Sequence, residues 1–167
     1  MNKIKLRKKP HVRTVVISDL HLGTIGCRAR ELRHFLKSMT FDRLILAGDI
    51  VDFWNLSRSC WGQLHSDVLR TILKLPKNGV EVIYLPGNHD EAACDLIGFI
   101  EFENFRMARE YTLETADGKR YLIFHGDQFD LVLLSRLGRY VAHVAGWAYD
   151  AIIAVNHYLN KIGRFLR

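Results

Sequence analysis

The residues best suited to chemistry are acids, histidines and one asparagine, gathered in four short stretches. These are Ser18-Asp19-Leu20-His21-Leu22-Gly23, Gly48-Asp49, Gly87-Asn88-His89-Asp90 and His125-Gly126-Asp127. Asp19 and His21 stand two apart, so on extended backbone their side chains would leave on the same side. A paired oxygen and nitrogen ligand suits a borderline transition ion such as Mn, Fe or Zn. Asp49 carries two oxygens, each able to hold a cation, so it could bridge two ions. Asn88 adds a neutral oxygen ligand. His89 can give a proton or a positive charge near pH 7, and a neighbouring Asp90 would orient it and raise its pKa. Taken singly, each stretch is ordinary, because Asp caps helices and Asn favours turns. What matters is where the chain puts all four.

Each stretch follows a short apolar run. Val12 to Ile17, Leu44 to Ala47 and Val80 to Leu85 have the length and β-branched content of buried strands. Between them, residues 27 to 39 carry Leu32, Phe35, Leu36 and Met39 at helical spacing, and residues 61 to 75 carry Leu64, Val68, Leu69, Ile72 and Leu73. The alternation of strand and helix predicts a parallel sheet with right-handed crossovers and helices on both faces. Ligands bind beyond the carboxyl ends of strands in such sheets, which is where Asp19, His21, Asp49, Asn88 and His89 fall. Residues 91 to 107 show little regularity. Ala108 to Thr115 and Arg120 to Phe124 flank Asp117-Gly118, a strong hairpin signal, and the second arm leads to His125. Asp127 reads as a turn or supporting residue. Five ligands around one shared carboxylate describe most of a centre for two divalent ions, which can activate water and clamp a phosphate in line.

This pattern resembles the calcineurin-like metallophosphoesterase superfamily over residues 12 to 127. The resemblance implies an α/β fold, a β-sandwich flanked by helices. It implies that Asp19 and His21 hold a first metal, Asn88 and His125 a second, and that Asp49 bridges, with Mn the expected ion and Fe or Zn as alternatives. His89 would protonate the leaving oxygen or stabilise charge on the phosphate, with Asp90 orienting it. The Ser18–Gly23, Gly48–Trp54 and His125–Asp127 stretches are most similar to the UDP-2,3-diacylglucosamine diphosphatase-like branch. That implies a phosphorylated glycolipid substrate and a helical cap after the His-Gly-Asp motif. The branch's best-known enzymes carry Arg where this chain has His89, which implies a paralogue with another substrate. The superfamily's final Gly-His-x-His motif does not occur in this sequence, so the expectation is a truncated sandwich and a longer parent protein.

Three regions are expected: a basic arm over residues 1 to 11, a phosphoesterase core over 12 to 128, and an amphipathic helical cap over 129 to 167. The chain has 167 residues and a formal charge of +6. Lys3, Lys5, Arg7, Lys8, Lys9 and Arg13 crowd the start with no acid among them, and the remaining basic and acidic residues balance. Such an arm suits an anionic membrane surface or nucleic acid, or is a solvated tail. From Leu131 onward apolar residues keep a helical period, and Arg136, Arg139 and Asp150 argue against a membrane span. Asn156, Asn160 and Arg164 share one polar face and are candidate substrate contacts. His65 has no evident partner and reads as structural or solvated, and neither His143 nor His157 is expected to be a ligand. Three widely spaced cysteines, Cys27, Cys60 and Cys94, suggest reduced thiols and a cytoplasmic setting, with peripheral membrane attachment as an option. Two further readings remain: a non-catalytic scaffold of the same fold, and a nucleic-acid phosphodiesterase.

Overall fold

In the computed structural model the described residues are 9–56, 60–129 and ten positions between 141 and 159. Four strands, β1 (His11–Ile17), β2 (Thr40–Ala47), β3 (Glu81–Leu85) and β4 (Phe105–Met107), lie side by side in that order, all parallel. The register pairs Ile17 with Leu46 and Ala47 with Leu85. The loops carrying Asp19, Asp49 and Asn88 therefore leave the sheet at one level. β4 lies within the stretch that showed no periodicity. Three residues are too few to carry an alternating pattern, so sheet pairing alone makes it a strand.

The second half of β2, Leu44 to Ala47, is a continuous apolar run because both its faces are covered. Its side chains still alternate. Leu44 and Leu46 join a core with Val68 and Ile72, whereas Ile45 meets Ile83 and Leu85 in a second cluster. The first core belongs to α1 (Ala29–Ser38) and α2 (Gln63–Lys74), which pack against each other on one face. The second cluster is covered by Tyr111, Leu113 and Ile123 from the antiparallel hairpin of β5 (Tyr111–Glu114) and β6 (Arg120–Ile123). The expectation of helices on both faces is thus corrected: among the described elements the helices share one face and the hairpin covers the other. The two β layers agree with the start of the expected sandwich.

Beyond Phe129, the described positions, among them Val141, Val144, Trp147, Ile152, Val155 and Leu159, are helical and exposed. Among the described residues no helix is long and apolar enough to cross a membrane. Residues 1–8, Asn156, Asn160 and Arg164 lie outside the described residues, and so do most residues of the expected cap.

Candidate metal centre

Three loops and one hairpin arm meet at the carboxyl end of β1, β2 and β3. Asp19, His21 and Asp49 all have left-handed backbone, with φ of 53°, 45° and 52°. Asp and His tolerate this region better than most residues, yet each instance costs about 1–3 kcal/mol and needs support from its surroundings. That support is a ladder of backbone bonds between the first two loops. Asp19 N–H donates to Gly48 O at 3.2 Å, His21 N–H to Asp49 O at 2.8 Å and Leu22 N–H to Ile50 O at 2.9 Å. The hairpin arm comes close because Gly48 and Gly87 lack side chains. A Cβ at Gly48 would collide with the His125 ring, and one at Gly87 would lie 2.8 Å from the Asp49 backbone nitrogen.

Asp49 is the hub, with 5% exposure. Its Oδ1 accepts the His89 backbone N–H at 2.9 Å. Its Oδ2 lies 3.4 Å from His125 Nε2 and 3.8 Å from His21 Nε2. A single oxygen therefore stands between the two imidazoles, where the sequence suggested one oxygen for each ion. His125 Nδ1 donates to Ala47 O at 3.2 Å, which aims Nε2 at Asp49 and at Asn88 Oδ1, 3.1 Å away. Asp19 Oδ1 lies 3.9 Å from the His125 ring. Asp19, Asp49 and His125 offer ligand atoms within 4.8 Å of one another. Asp19 thus gathers with His125 around Asp49, a grouping the expected first pair, Asp19 with His21, did not include.

Asp52 was not among the expected site residues. It is 2% exposed and lies between two rings, with Oδ2 3.1 Å from His21 Nδ1 and 2.9 Å from His89 Nδ1. Its Oδ1 accepts the Asn55 N–H at 2.8 Å. His21, Asp52 and His89 also bring ligand atoms within 4.8 Å. Both Nδ1 atoms lie beside Asp52, which suits this carboxylate to orienting the two rings, and His21 Nε2 is left facing Asp49. The His21 and His89 rings meet edge to face at 4.7 Å, and Trp54 lies against His89 at 4.2 Å. The signal in the sequence was the spacing Gly48-Asp49-x-x-Asp52: the three-residue step returns a second carboxylate to the loop that carries the first.

Asp90 does something other than expected. Its carboxylate, fully buried, accepts the backbone N–H groups of Ile50 at 2.8 Å and Asp49 at 3.3 Å, the Gly87 N–H, and the Tyr84 hydroxyl. The carboxylate beside the His89 ring is that of Asp52, 2.9 Å from Nδ1, and not that of Asp90. Asp90 instead ties the loop after β2 to the loop after β3, because buried amides converging on one point need an acceptor. Burial, followed by the Asp90 charge, pushes the Tyr84 phenol strongly up, so it stays a hydrogen-bond donor.

The electrostatics follow from this packing. The hydrogen bond to Asp52 raises the His21 pKa; burial opposes it and Asp49 adds to it. The hydrogen bond to Asp49 raises His125 to about 9 against its burial. Burial pushes Asp49 and Asp52 up, but their histidine partners outweigh it and hold both below the usual carboxylate range. Both carboxylates are thus anionic at neutral pH. A carboxylate, an amide oxygen and imidazole nitrogens converging on one point are a fitting donor set for a divalent transition ion. A proton on His125 Nε2 and such an ion compete for the same atoms.

A model of the calcineurin-like phosphoesterase family matches residues 12–163, nearly the whole chain. The chain belongs to the calcineurin-like phosphoesterase family. Among curated relatives, a UDP-2,3-diacylglucosamine hydrolase of Neisseria gonorrhoeae is 33% identical over 117 residues, covering 66% of this chain and 47% of that protein. A protein of the same name from Neisseria meningitidis serogroup A is 32% identical over the same shares. The chain spans about half the length of the curated relatives it matches. The crystal structure of a Pseudomonas putida nuclease MPE aligns with 61% of this chain and 50% of its own, at 22% identity and a TM-score of 0.39. Family membership implies divalent ions, and the donors around Asp49 fit them.

Proposed function

We propose that this chain carries the core of a hydrolase for phosphoester or diphosphate bonds that works with two divalent ions, Mn the expected pair. The observation that carries the reading is Asp49 Oδ2, placed between His21 Nε2 and His125 Nε2. His21 with Asp49 would hold one ion, and Asn88, His125 and Asp49 the other, with Asp19 adding a carboxylate from the open side. Bound ions would supply Lewis-acid polarisation of the phosphoryl oxygens and a water of lowered pKa. The side chains do the rest. Water attacks phosphorus in line, a new P–O bond forms and the opposite P–O bond breaks, and the proton that the water gives up passes to solvent, from which His89 recovers the one it donates. His89, held at Nδ1 by Asp52, gives its Nε2 proton to the departing oxygen. Trp54 and Asp52 together fix that ring's tilt, which a positioned acid requires. Asp90 serves the backbone rather than the reaction.

The curated relatives suggest a nucleotide-linked glycolipid diphosphate as substrate, with the segment from 129 to 167 as its cap and Asn156, Asn160 and Arg164 as contacts. A lipid of that kind accords with a cytoplasmic protein attached to the membrane periphery through its basic arm. The test is hydrolysis by the purified chain with Mn²⁺, offered UDP-2,3-diacylglucosamine and, separately, bis(p-nitrophenyl) phosphate. Cleavage of both, abolished by chelator, supports the reading. Cleavage of the simple diester alone keeps the chemistry and discards the lipid. No metal-dependent cleavage of either favours a non-catalytic scaffold.

A further inference from the structure

His65 lies in the first turn of α2 and is 8% exposed. Its Nδ1 accepts the backbone N–H of Gly23 at 2.8 Å, a buried bond across 42 residues of sequence. Gly23 is the next rung after the three backbone bonds that support Asp19 and His21, and the one rung completed by a side chain. Its φ is +106°, and a Cβ there would lie 2.6 Å from Leu56 and 3.3 Å from Trp61. Trp61, in turn, lies against the His65 ring at 5.7 Å. Thr24 closes the turn by donating its hydroxyl to His21 O at 3.0 Å. The loop is therefore gripped from α2 two residues after His21.

We propose that His65 is a positioning residue for the metal centre: by accepting the Gly23 N–H, it holds the left-handed Asp19–His21 loop in its ligating shape. This rests on the two-metal reading above. An imidazole can accept at Nδ1 only when that nitrogen is unprotonated. Two features keep the ring neutral. Burial lowers the His65 pKa, and the positive end of the α2 dipole disfavours a second positive charge there. Removing the acceptor frees the loop to relax from its strained backbone, and the His21 ring moves with it. Partners that hydrogen-bond a ligand directly change metal affinity by roughly 10–100-fold, and a support acting through the backbone two residues from His21 belongs at the low end of that range.

The test compares His65→Phe, which keeps a ring against Trp61 but has no acceptor, with His65→Asn, whose Oδ1 stands near the position of Nδ1. Mn²⁺ affinity is measured by calorimetry, and Gly23 amide hydrogen exchange by NMR on the metal-free protein. The expected result is Mn²⁺ binding weakened about tenfold in His65→Phe and restored to within about twofold in His65→Asn, with Gly23 exchange accelerated only in the Phe variant. Unchanged Mn²⁺ affinity in His65→Phe would overturn the proposal. So would equal losses in both variants accompanied by a lowered Tm, since that is what a merely structural residue gives. If the unaltered chain binds no Mn²⁺, the two-metal reading falls by itself. Gly23 exchange then decides the clamp: acceleration in Phe and not in Asn supports it, and no change in Phe ends it.

Discussion

The two ends of the parallel sheet carry the same residue types and make different things of them. At the amino end, His11 Nε2 lies 3.5 Å from Asp42 Oδ1, with side chains 52% and 67% exposed. At the carboxyl end, His21 Nδ1 lies 3.1 Å from Asp52 Oδ2, with side chains 33% and 3% exposed. Water screens the first pair, which makes it worth little. The second has lost most of its water, gains a second imidazole from His89, and is tied to Asp49 through the loop between them. The difference teaches that a histidine and an aspartate become a site through burial, convergence and backbone anchoring. Their adjacency alone does not suffice.

That contrast can be broken most directly at the hub. Asp49→Ala should lower metal-dependent hydrolysis about 10³-fold, the scale of several kcal/mol of lost charge stabilisation; steady-state kinetics with Mn²⁺ would read it, and retained activity would refute the bridging role. Asp52→Asn is expected to cost about 10–100-fold, the range for groups that orient ligands. The loss should fall mainly on kcat, because His89 would lose its anionic partner while the substrate contacts stay. The pH dependence of stability sharpens the comparison further. His125 has its pKa raised from 6.5 to about 9 in the folded protein, so its pairing with Asp49 stabilises fully below about pH 6.5 and fades as pH climbs through about 9. In chelator, Tm should therefore fall between those values, and Asp49→Asn should flatten that fall. With Mn²⁺ present the trend should reverse, since the ion needs the unprotonated ring. At the other end, Asp42→Asn should change stability by less than about 0.5 kcal/mol and leave the kinetics untouched; a larger loss in urea unfolding would show that the two ends are more alike than their burial suggests.

Much of the site was legible in order and type. Asp19, His21, Asp49, Asn88, His89 and His125 meet as their positions after apolar runs implied, because a parallel sheet delivers consecutive strand ends to one edge. The family itself could be read from those motifs. Roles were harder to read. Asp90 sits beside His89 in sequence but turns to the backbone of Ile50, Asp49 and Gly87, while Asp52, 37 positions away, lies against the ring's Nδ1. His65 looked partnerless because its partner is a backbone N–H that no side-chain pattern announces.

What the sequence by itself determined was the local chemistry and its rhythm. Apolar runs of strand length, helical stripes and an Asp-Gly turn each express a period or a backbone preference set by neighbouring residues. The tertiary structure decided everything that depends on two distant segments meeting. It made β4 a strand by pairing it with β3, and put both helices on one face by packing them together. It brought His125 to Asp49 by laying a separate hairpin over Ile45, Ile83 and Leu85. It also chose which aspartate each histidine would have. The physical reason is that a hydrogen bond or a ligand set depends on distances of about 3 Å, and sequence spacing constrains such distances only within a single turn or strand.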